Sequence, residues 1–163
     1  MSKILIVADH LNGQLNGAVA RCVTAARAIA GAEIHIAVLA ADPAALAAQA
    51  AAIEGVAKVL TVANPAFSHL IAQQAAPVVA QLAAGYSHVF GPSSSFGKDV
   101  MPAIAALLDA PQVSDLMTVE GSHRFTRPIY AGNAIITVEA PADKPVVCLL
   151  YTSPSPRDRG NHR

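Results

Sequence analysis

The sequence has few charged residues and no excess charge of either sign. Charged residues make up 13% of its 163 residues, roughly half the usual share, whereas hydrophobic residues make up 53%. Such a chain can fill a core, which excludes a disordered protein, and its length corresponds to one domain, alone or with a tail. Eleven basic residues balance eleven acidic ones, so no overall charge attracts nucleic acid or an anionic membrane surface.

Long apolar runs and cysteine pairs are also missing. No run approaches the roughly 18 apolar residues of a membrane-spanning helix, and residues 4–8 are too short for the core of a signal peptide. The two cysteines, Cys22 and Cys148, form neither a disulfide framework nor a metal-binding spacing. We therefore expect a cytoplasmic protein that is not embedded in a membrane.

The periodicity of apolar residues predicts alternating strands and helices. Short apolar runs predict strands at residues 3–8, 33–40, 57–63, 86–90 and 112–119. Helices are predicted between them, from Asn16 to Gly31, from Asp42 to Gly55, over 66–84 with Pro77 inside, and from Ser94 or Ser95 to about Asp109. This order predicts an α/β fold with a doubly wound, mostly parallel, Rossmann-like sheet that has helices on both faces. Pro77 is expected to kink its helix or to restart it.

The pattern changes near the end of the chain. Residues 125–129 and 134–139, joined by a Gly132-Asn133 turn, predict a C-terminal antiparallel strand pair. Residues 148–163 have no periodicity, and CLLYTSPSPRD looks like a translated sequencing adapter. The sequence therefore predicts a domain at residues 1–147 and a non-native tail at 148–163.

Two loops after predicted strands are candidate binding sites, because ligands of such sheets bind at the carboxyl ends of the strands. The first, ADHLNGQLNG, lacks the G-x-G-x-x-G pattern, and its Asp9 is either a ligand-binding carboxylate or, more often, a loop cap. The second, GPSSSFGKD, differs from a phosphate loop in spacing and has Asp99 where a serine or threonine would bind magnesium. A serine that caps the following helix is the simpler interpretation.

No catalytic constellation is visible. The six histidines lie in unrelated elements without metal-ligand spacing, so no metal site is predicted. There is no G-x-S-x-G motif, and Cys22 falls on the apolar face of a predicted helix. The sequence therefore predicts neither catalytic nor metal-binding residues.

An ordered series of motifs carries a resemblance to a known family. These motifs are ADHLNGQLN, AEIHIAVLA, GVAKVL, AGYSHVFGPSSSFGKDVMPAIAALLD and SDLMTVEG, followed by FTRPIYAGNA. Together they resemble the N-terminal domain of the electron transfer flavoprotein alpha subunit, over about residues 3–147. The positions that match the family pattern are expected to have roles in the fold or the interface: Asp9, Gly97, Lys98, Arg127, Tyr130, Gly132 and Asn133.

The resemblance implies a heterodimer with a beta subunit. In that family the complex moves electrons from acyl-CoA and other dehydrogenases through FAD to a quinone oxidoreductase, as in fatty acid beta-oxidation. The flavin is held chiefly by a second domain whose motifs do not occur here, so no cofactor-binding residue is predicted and this fragment is not expected to bind FAD. The implied fold is similar to that of adenine nucleotide alpha hydrolases, and the implied role is a scaffold of an electron carrier, not an enzyme.

A second hypothesis remains open. The chain could be a stand-alone adenine-nucleotide-binding module, similar to universal stress proteins, that uses Asp9 and the loop from Gly91 to Lys98. The absence of a phosphate-binding motif counts against it.

Overall fold

The computed structural model describes residues 2–129 and 134–151. Its strands are β1 Lys3–Val7, β2 His10–Leu11, β3 Gln14–Leu15, β4 Glu33–Ala40, β5 Lys58–Ala63, β6 His88–Pro92, β7 Gln112–Leu116, β8 Thr118–Gly121, β9 Arg124–Ile129, β10 Ala134–Glu139 and β11 Val146–Leu150. Its helices are α1 Ala18–Ala26, α2 Ala44–Ala51, α3 Ala72–Leu82 and α4 Ser95–Leu108, with a short 3₁₀ helix at Pro65–His69. The predicted turn residues Tyr130, Gly132 and Asn133 lie outside the described residues.

Six of these strands form one parallel main sheet. Their order is β5-β4-β1-β6-β11-β7, and each neighbouring pair is parallel. The predicted doubly wound α/β fold is therefore confirmed. The order reverses direction beside β1, between β4 and β6, which creates the switch point where such sheets bind ligands.

The main sheet separates two hydrophobic cores. Along β1, Ile4 and Ile6 belong to the core under α1 and α2, whereas Leu5 and Val7 belong to the core under α3 and α4. Because both faces of the sheet are covered, both sets of alternating side chains must be apolar. This explains why the central strands read as continuous apolar runs in the sequence.

A small antiparallel sheet, with the order β10-β9-β8, covers part of one face of the main sheet. It contains the predicted strand pair and adds a third strand to it. The predicted single strand at 112–119 is wrong, since it divides at Met117 into β7 of the main sheet and β8 of the small sheet. Asp115 adopts a left-handed backbone with φ of 54°, which interrupts the extended path near this division.

The predicted helix over residues 66–84 also divides, but not at Pro77. Residues Leu70 and Ile71 are extended, and α3 begins after them with Pro77 in its interior. Proline has no backbone N–H, so α3 lacks one helical hydrogen bond, the one that residue 77 would donate to the carbonyl of Gln73. Among the described residues, no helix combines the length and the apolar character needed to cross a membrane.

Strand β11 lies inside the main sheet, next to its edge strand β7. It pairs with β6 on one side and β7 on the other, and all five of its residues are buried. Residues Cys148, Leu149 and Leu150 thus lie in the sheet, three residues beyond the domain boundary predicted at Val147. The foreign origin of residues 148–163 stays a prediction.

Candidate functional site

A crevice of about 1030 Å³ opens at the carboxyl ends of the strands. Its lining comes from the segments that follow β1, β4, β5 and β6, which meet at the switch point of the main sheet. This is the position that the strand order predicts for a ligand site. The polar or charged side chains around the crevice include Asp9, His10, Asp42, His69 and Ser94.

Several of these polar groups already bind the protein itself. Asp42 Oδ1 accepts from the backbone N–H of Ala44 at 3.2 Å, and Ser94 Oγ accepts from the N–H of Gly97 at 3.1 Å. Ser94 is the N-cap of α4, as predicted, whereas the cap predicted at Asp42 is wrong, since α2 has Pro43 at its N-cap position and Asp42 lies just before it. Among the residues that the structure describes, the lining of the crevice includes two aspartates but no lysine or arginine. Its charge therefore opposes a phosphate group.

Asp9 acts as a loop cap within the crevice wall. Its Oδ2 accepts from Asn16 Nδ2 at 3.1 Å, and its backbone oxygen accepts from the N–H of Asn16 at 2.8 Å. Asn16 in turn accepts at Oδ1 from the N–H of Ala18, at the start of α1. The geometry therefore links the end of β1 to the start of the first helix through these two side chains.

The β2–β3 hairpin forms one wall of the crevice. Its turn is Asn12-Gly13, both with positive φ, 52° and 76°, which is the conformation that the Asn-Gly pair favours. Gln49 of α2 holds the hairpin from outside, because its Oε1 accepts from the N–H of Leu15 at 3.0 Å and its Nε2 donates to the carbonyl of Gly13 at 2.8 Å. The hairpin is thus fixed at two points.

Replacing Gln49 by alanine is expected to loosen this hairpin. The variant loses two hydrogen bonds, each worth about 1 kcal/mol, so we expect the free energy of unfolding in urea to fall by about 1–2 kcal/mol. Gln81→Ala is the matched control, since Gln81 is also helical but exposed, and the two substitutions change helix propensity equally. Equal losses in the two variants would contradict the bracing role of Gln49.

Gly97 and Lys98 lie at the start of α4 in different surroundings. A Cβ on Gly97 would lie 1.7 Å from the carbonyl oxygen of Pro92, so only glycine fits this close approach of the helix to β6. Lys98 is exposed, and its backbone N–H donates to the carbonyl of Ser94 at 2.8 Å. The structure therefore brings Gly97 into a packing contact and leaves the Lys98 side chain in solvent.

Arg127 lies on β9 of the small sheet, away from the crevice. It pairs with Ile136 of β10, and strand alternation places it on the same face as the fully buried Phe125. Its Nε is buried and has no hydrogen-bond partner among the described residues. A buried guanidinium nitrogen without a partner is costly, which distinguishes Arg127 from the other polar residues of the small sheet.

Two buried histidines were not predicted as special positions. His35 Nδ1 hydrogen-bonds Tyr86 Oη at the amino ends of the strands, where burial, followed by the charge of Glu33, raises the pKa of Tyr86. His88, at the start of β6, hydrogen-bonds the carbonyl of Ser122, in the turn between β8 and β9. These pairings join distant parts of the chain, and the sequence carries no local signal for them.

Neither cysteine is poised for chemistry. Burial raises the pKa of Cys22 to about 12, and burial, then the nearby Cys22, raises the pKa of Cys148 further above its ordinary value. Both thiols are free, buried and protonated at neutral pH, so neither is a nucleophile. In the part of the chain that the structure describes, no three histidine, cysteine or carboxylate side chains are grouped to hold a metal ion.

Comparison with known proteins identifies the family. The model of the electron transfer flavoprotein domain matches residues 4–163. The chain belongs to the electron transfer flavoprotein domain family. It is 44% identical to the electron transfer flavoprotein subunit alpha of Pseudomonas aeruginosa over 149 residues, which cover 91% of this chain and 48% of that protein. It is 38% identical to the alpha subunit of Paracoccus denitrificans over 151 residues, covering 92% and 48%.

The similarity extends to eukaryotic alpha subunits. The mitochondrial alpha subunit of Dictyostelium discoideum is 34% identical over 146 residues, which cover 85% of this chain and 41% of that protein. This electron transfer flavoprotein domain therefore spans about half the length of the curated relatives that it matches. The resemblance to the alpha subunit that the sequence carried is confirmed.

Proposed function

We propose that the chain is the scaffold and heterodimerisation domain at the N-terminus of an electron transfer flavoprotein alpha subunit. The observation that carries this proposal is the match to named alpha subunits along nine-tenths of this chain but only about half of theirs. In the parent protein this domain would support a second domain that holds FAD. The whole complex would carry electrons from acyl-CoA and other dehydrogenases to a quinone oxidoreductase, and its location would be the cytoplasm.

The crevice does not fit FAD. The diphosphate of a flavin dinucleotide needs N–H donors or cations, whereas the ionised side chains at the crevice are the carboxylates of Asp9 and Asp42. The loop after β1 forms a hairpin in place of a glycine-rich phosphate turn. These two observations support the proposal that the second domain of the parent binds FAD, whereas this domain is a scaffold that provides an interface.

We assign fold roles to Asp9 and Gly97 and interface roles to residues of the small sheet. The Asp9–Asn16 hydrogen bonds and the close approach at Gly97 support the first assignment. The Nε of Arg127, which has no hydrogen-bond partner in the described part of the chain, supports the second. The same fold or interface roles are proposed for Lys98 and for Tyr130, Gly132 and Asn133, the last three of which lie outside the described residues.

Replacing Arg127 by alanine is expected to weaken assembly with the beta subunit. Arginines at interface centres are energetic hot spots, so we expect the dissociation constant of the pair to rise about tenfold or more. The measurement is co-expression of the full chain with the beta subunit, followed by affinity purification and titration calorimetry.

Arg124→Ala is the matched control for this variant. Arg124 lies on the same strand but is exposed, and its guanidinium pairs with Glu120 at 3.2 Å and with Glu139 at 3.7 Å. Exposed ion pairs contribute little, so this variant should bind nearly as well as wild type. Failure of the wild-type chain to bind the beta subunit would contradict the proposed function, and equal losses in the two variants would contradict the role of Arg127.

A second candidate function is adenine-nucleotide binding at the crevice. Its position at the switch point of the main sheet favours this alternative, and its two carboxylates count against it. A ligand that binds only the folded chain must raise the melting temperature. AMP and ATP at millimolar concentration should therefore raise the melting temperature by several degrees if the crevice is a nucleotide site, and should leave it unchanged if the domain is a scaffold.

A further inference from the structure

Strand β10 is a free edge of the small sheet. Among the described residues it pairs with β9 and with no other strand. Its register with β9 is regular along its whole length, and it contains no lysine, proline or glycine. Most of its residues are β-branched, which favours extended pairing. A regular edge strand of this kind is a template for a further strand.

The other edges of the two larger sheets carry features that discourage such pairing. Strand β8, at the opposite edge of the small sheet, has a register shift between Val119 and Gly121. Strand β7, at one edge of the main sheet, contains the left-handed Asp115 and a register shift against β11. Strand β5, at the other edge, begins with Lys58. Bulges, irregular backbone and lysine all protect edges, so β10 is the least protected edge that the structure describes.

The hydrogen bonds of β10 with β9 define which of its backbone groups are free. The N–H of Ala140 donates to the carbonyl of His123 at 2.8 Å, just beyond the strand pair. Bonded and non-bonded pairs alternate along antiparallel strands, so every second residue of β10 bonds β9: Ala134, Ile136 and Val138. The residues between them turn their N–H and carbonyl groups away from β9, and we call them the outward residues: Ile135, Thr137 and Glu139. Pro128 agrees with this phase, since its pair with Ile135 needs no N–H toward β10.

The side chains of the outward residues are exposed on one face of the small sheet. Ile135 is 61% exposed, Thr137 is exposed, and the side chain of Glu139 is 73% exposed. The 3.7 Å contact of Glu139 with Arg124 joins two exposed side chains and contributes little. A strand that pairs with this edge therefore meets an apolar side chain at one end and a carboxylate at the other. Its best complement has an apolar residue opposite Ile135 and a basic residue opposite Glu139.

A second copy of the chain does not supply this complement. Antiparallel pairing of two identical edges is symmetric, so the register that engages all outward residues is centred on Thr137. That register places Ile135 of each copy opposite Glu139 of the other, an apolar side chain against a carboxylate. A register centred on Glu139 brings two carboxylates together, which is destabilising. A register centred on Ile135 overlaps only the first residues of β10.

We propose that the free edge of β10 is the docking site for an extended strand of the beta subunit, which adds to the small sheet. This inference rests on the proposed function. The added strand carries an apolar residue opposite Ile135 and a basic residue opposite Glu139. Arg127 lies on the neighbouring strand β9, where it pairs with Ile136. The edge is therefore continuous with the surface proposed for the interface.

Hydrogen exchange at single residues tests this inference, because strand pairing protects backbone N–H groups. In the isolated full chain, the N–H groups of Ile136 and Val138 should be protected, whereas those of the outward residues should exchange rapidly. In the complex with the beta subunit, the protection factors of the outward residues should rise by about tenfold or more, so that the alternation along β10 disappears. A contact made by side chains alone would leave the alternation in place.

Two substitutions at Thr137 separate the backbone of the edge from its side chain. Thr137→Pro removes the outward N–H and no bond to β9, so we expect a folded chain whose dissociation constant for the beta subunit rises about tenfold or more. Thr137→Ala is the matched control, since it keeps the N–H and should bind within about threefold of wild type. Titration calorimetry measures binding, and the melting temperature of each variant alone checks its folding. Equal affinities of two folded variants would overturn the inference.

The exchange measurement needs no variant, and it separates the inference from the proposed function. Binding of the beta subunit with the alternation retained would overturn the added strand and leave the proposed function intact. Absence of binding by the wild-type chain would overturn both. Loss of the alternation in the isolated chain at high concentration would show that a second copy occupies the edge, which would overturn the assignment to the beta subunit.

Discussion

A chain that ends at Val147 is expected to be unfolded, whereas a chain that ends at Tyr151 should keep the stability of the full chain. The first truncation removes Cys148, Leu149 and Leu150, which are at most 6% exposed and lie inside the main sheet, between β6 and β7. Removing one buried leucine side chain costs about 2–5 kcal/mol, and a domain of this size has a total stability of about 5–15 kcal/mol. The loss also takes away the backbone pairing of these three residues with β6 on one side and with β7 on the other.

The second truncation is the control for the first. It preserves the 2.6 Å hydrogen bond from Ser93 Oγ to the carbonyl of Leu150 and the 2.7 Å bond from the N–H of Tyr151 to the carbonyl of Leu116. Circular dichroism and thermal melting of the three chains measure the effect. A cooperative melt of the 147-residue chain near that of the full chain would contradict the place of β11 inside the main sheet.

This expectation bears on how far a sequence can define a domain boundary. The break in periodicity after Val147 led to the prediction of a foreign tail. The next three residues are nevertheless apolar, as a strand that is buried on both faces requires. Strand insertion depends on pairing with β6 and β7, which are distant in sequence. Local pattern therefore could not reveal that the sheet continues to Leu150.

The difference between local sequence patterns and contacts between distant residues also explains which other predictions of the fold were right and which were wrong. The strand predicted at residues 33–40 has those bounds, since continuous two-sided burial leaves a strong pattern. The division near Met117 depends on the left-handed backbone of Asp115, and the order of the main sheet depends on contacts between distant strands. Neither has a local signature that periodicity can detect.

The candidate site was only partly predictable. The switch-point rule gives the crevice its position, and the Asn12-Gly13 pair is a local hairpin signal beside it. The Asp9–Asn16 pair agrees with the simpler cap interpretation of Asp9. The bond from His88 to Ser122 spans 34 residues, so only the folded chain reveals it.

Gly97→Ala is expected to cause a large loss of stability, about 3 kcal/mol or more in the free energy of unfolding. The added Cβ would lie 1.7 Å from the carbonyl oxygen of Pro92 and 2.9 Å from its carbon. Pro92 ends β6, which β1 and β11 hold from both sides, so the backbone has little room to move. The helix must therefore shift outward and lose part of its buried contacts with the main sheet.

Gly17→Ala is the matched control. Gly17 has a helical backbone with φ of −59°, and an added Cβ would meet no heavy atom within 4 Å. Replacing a glycine in such a conformation changes stability by less than about 1 kcal/mol, chiefly through the unfolded chain. Urea unfolding of both variants measures the difference, and similar values would contradict the packing role of Gly97.

The Gly97→Ala and Gly17→Ala variants also distinguish the scaffold hypothesis from the hypothesis of a nucleotide-binding module. If Gly97 serves close packing, Gly97→Ala lowers stability whether or not AMP or ATP is present, because the clash with Pro92 does not depend on a ligand. If Gly97 instead lets a phosphate approach the start of α4, nucleotide raises the melting temperature of wild type and of Gly17→Ala, and that increase disappears in Gly97→Ala. The exposed side chain of Lys98 and the carboxylates at the crevice favour the first outcome.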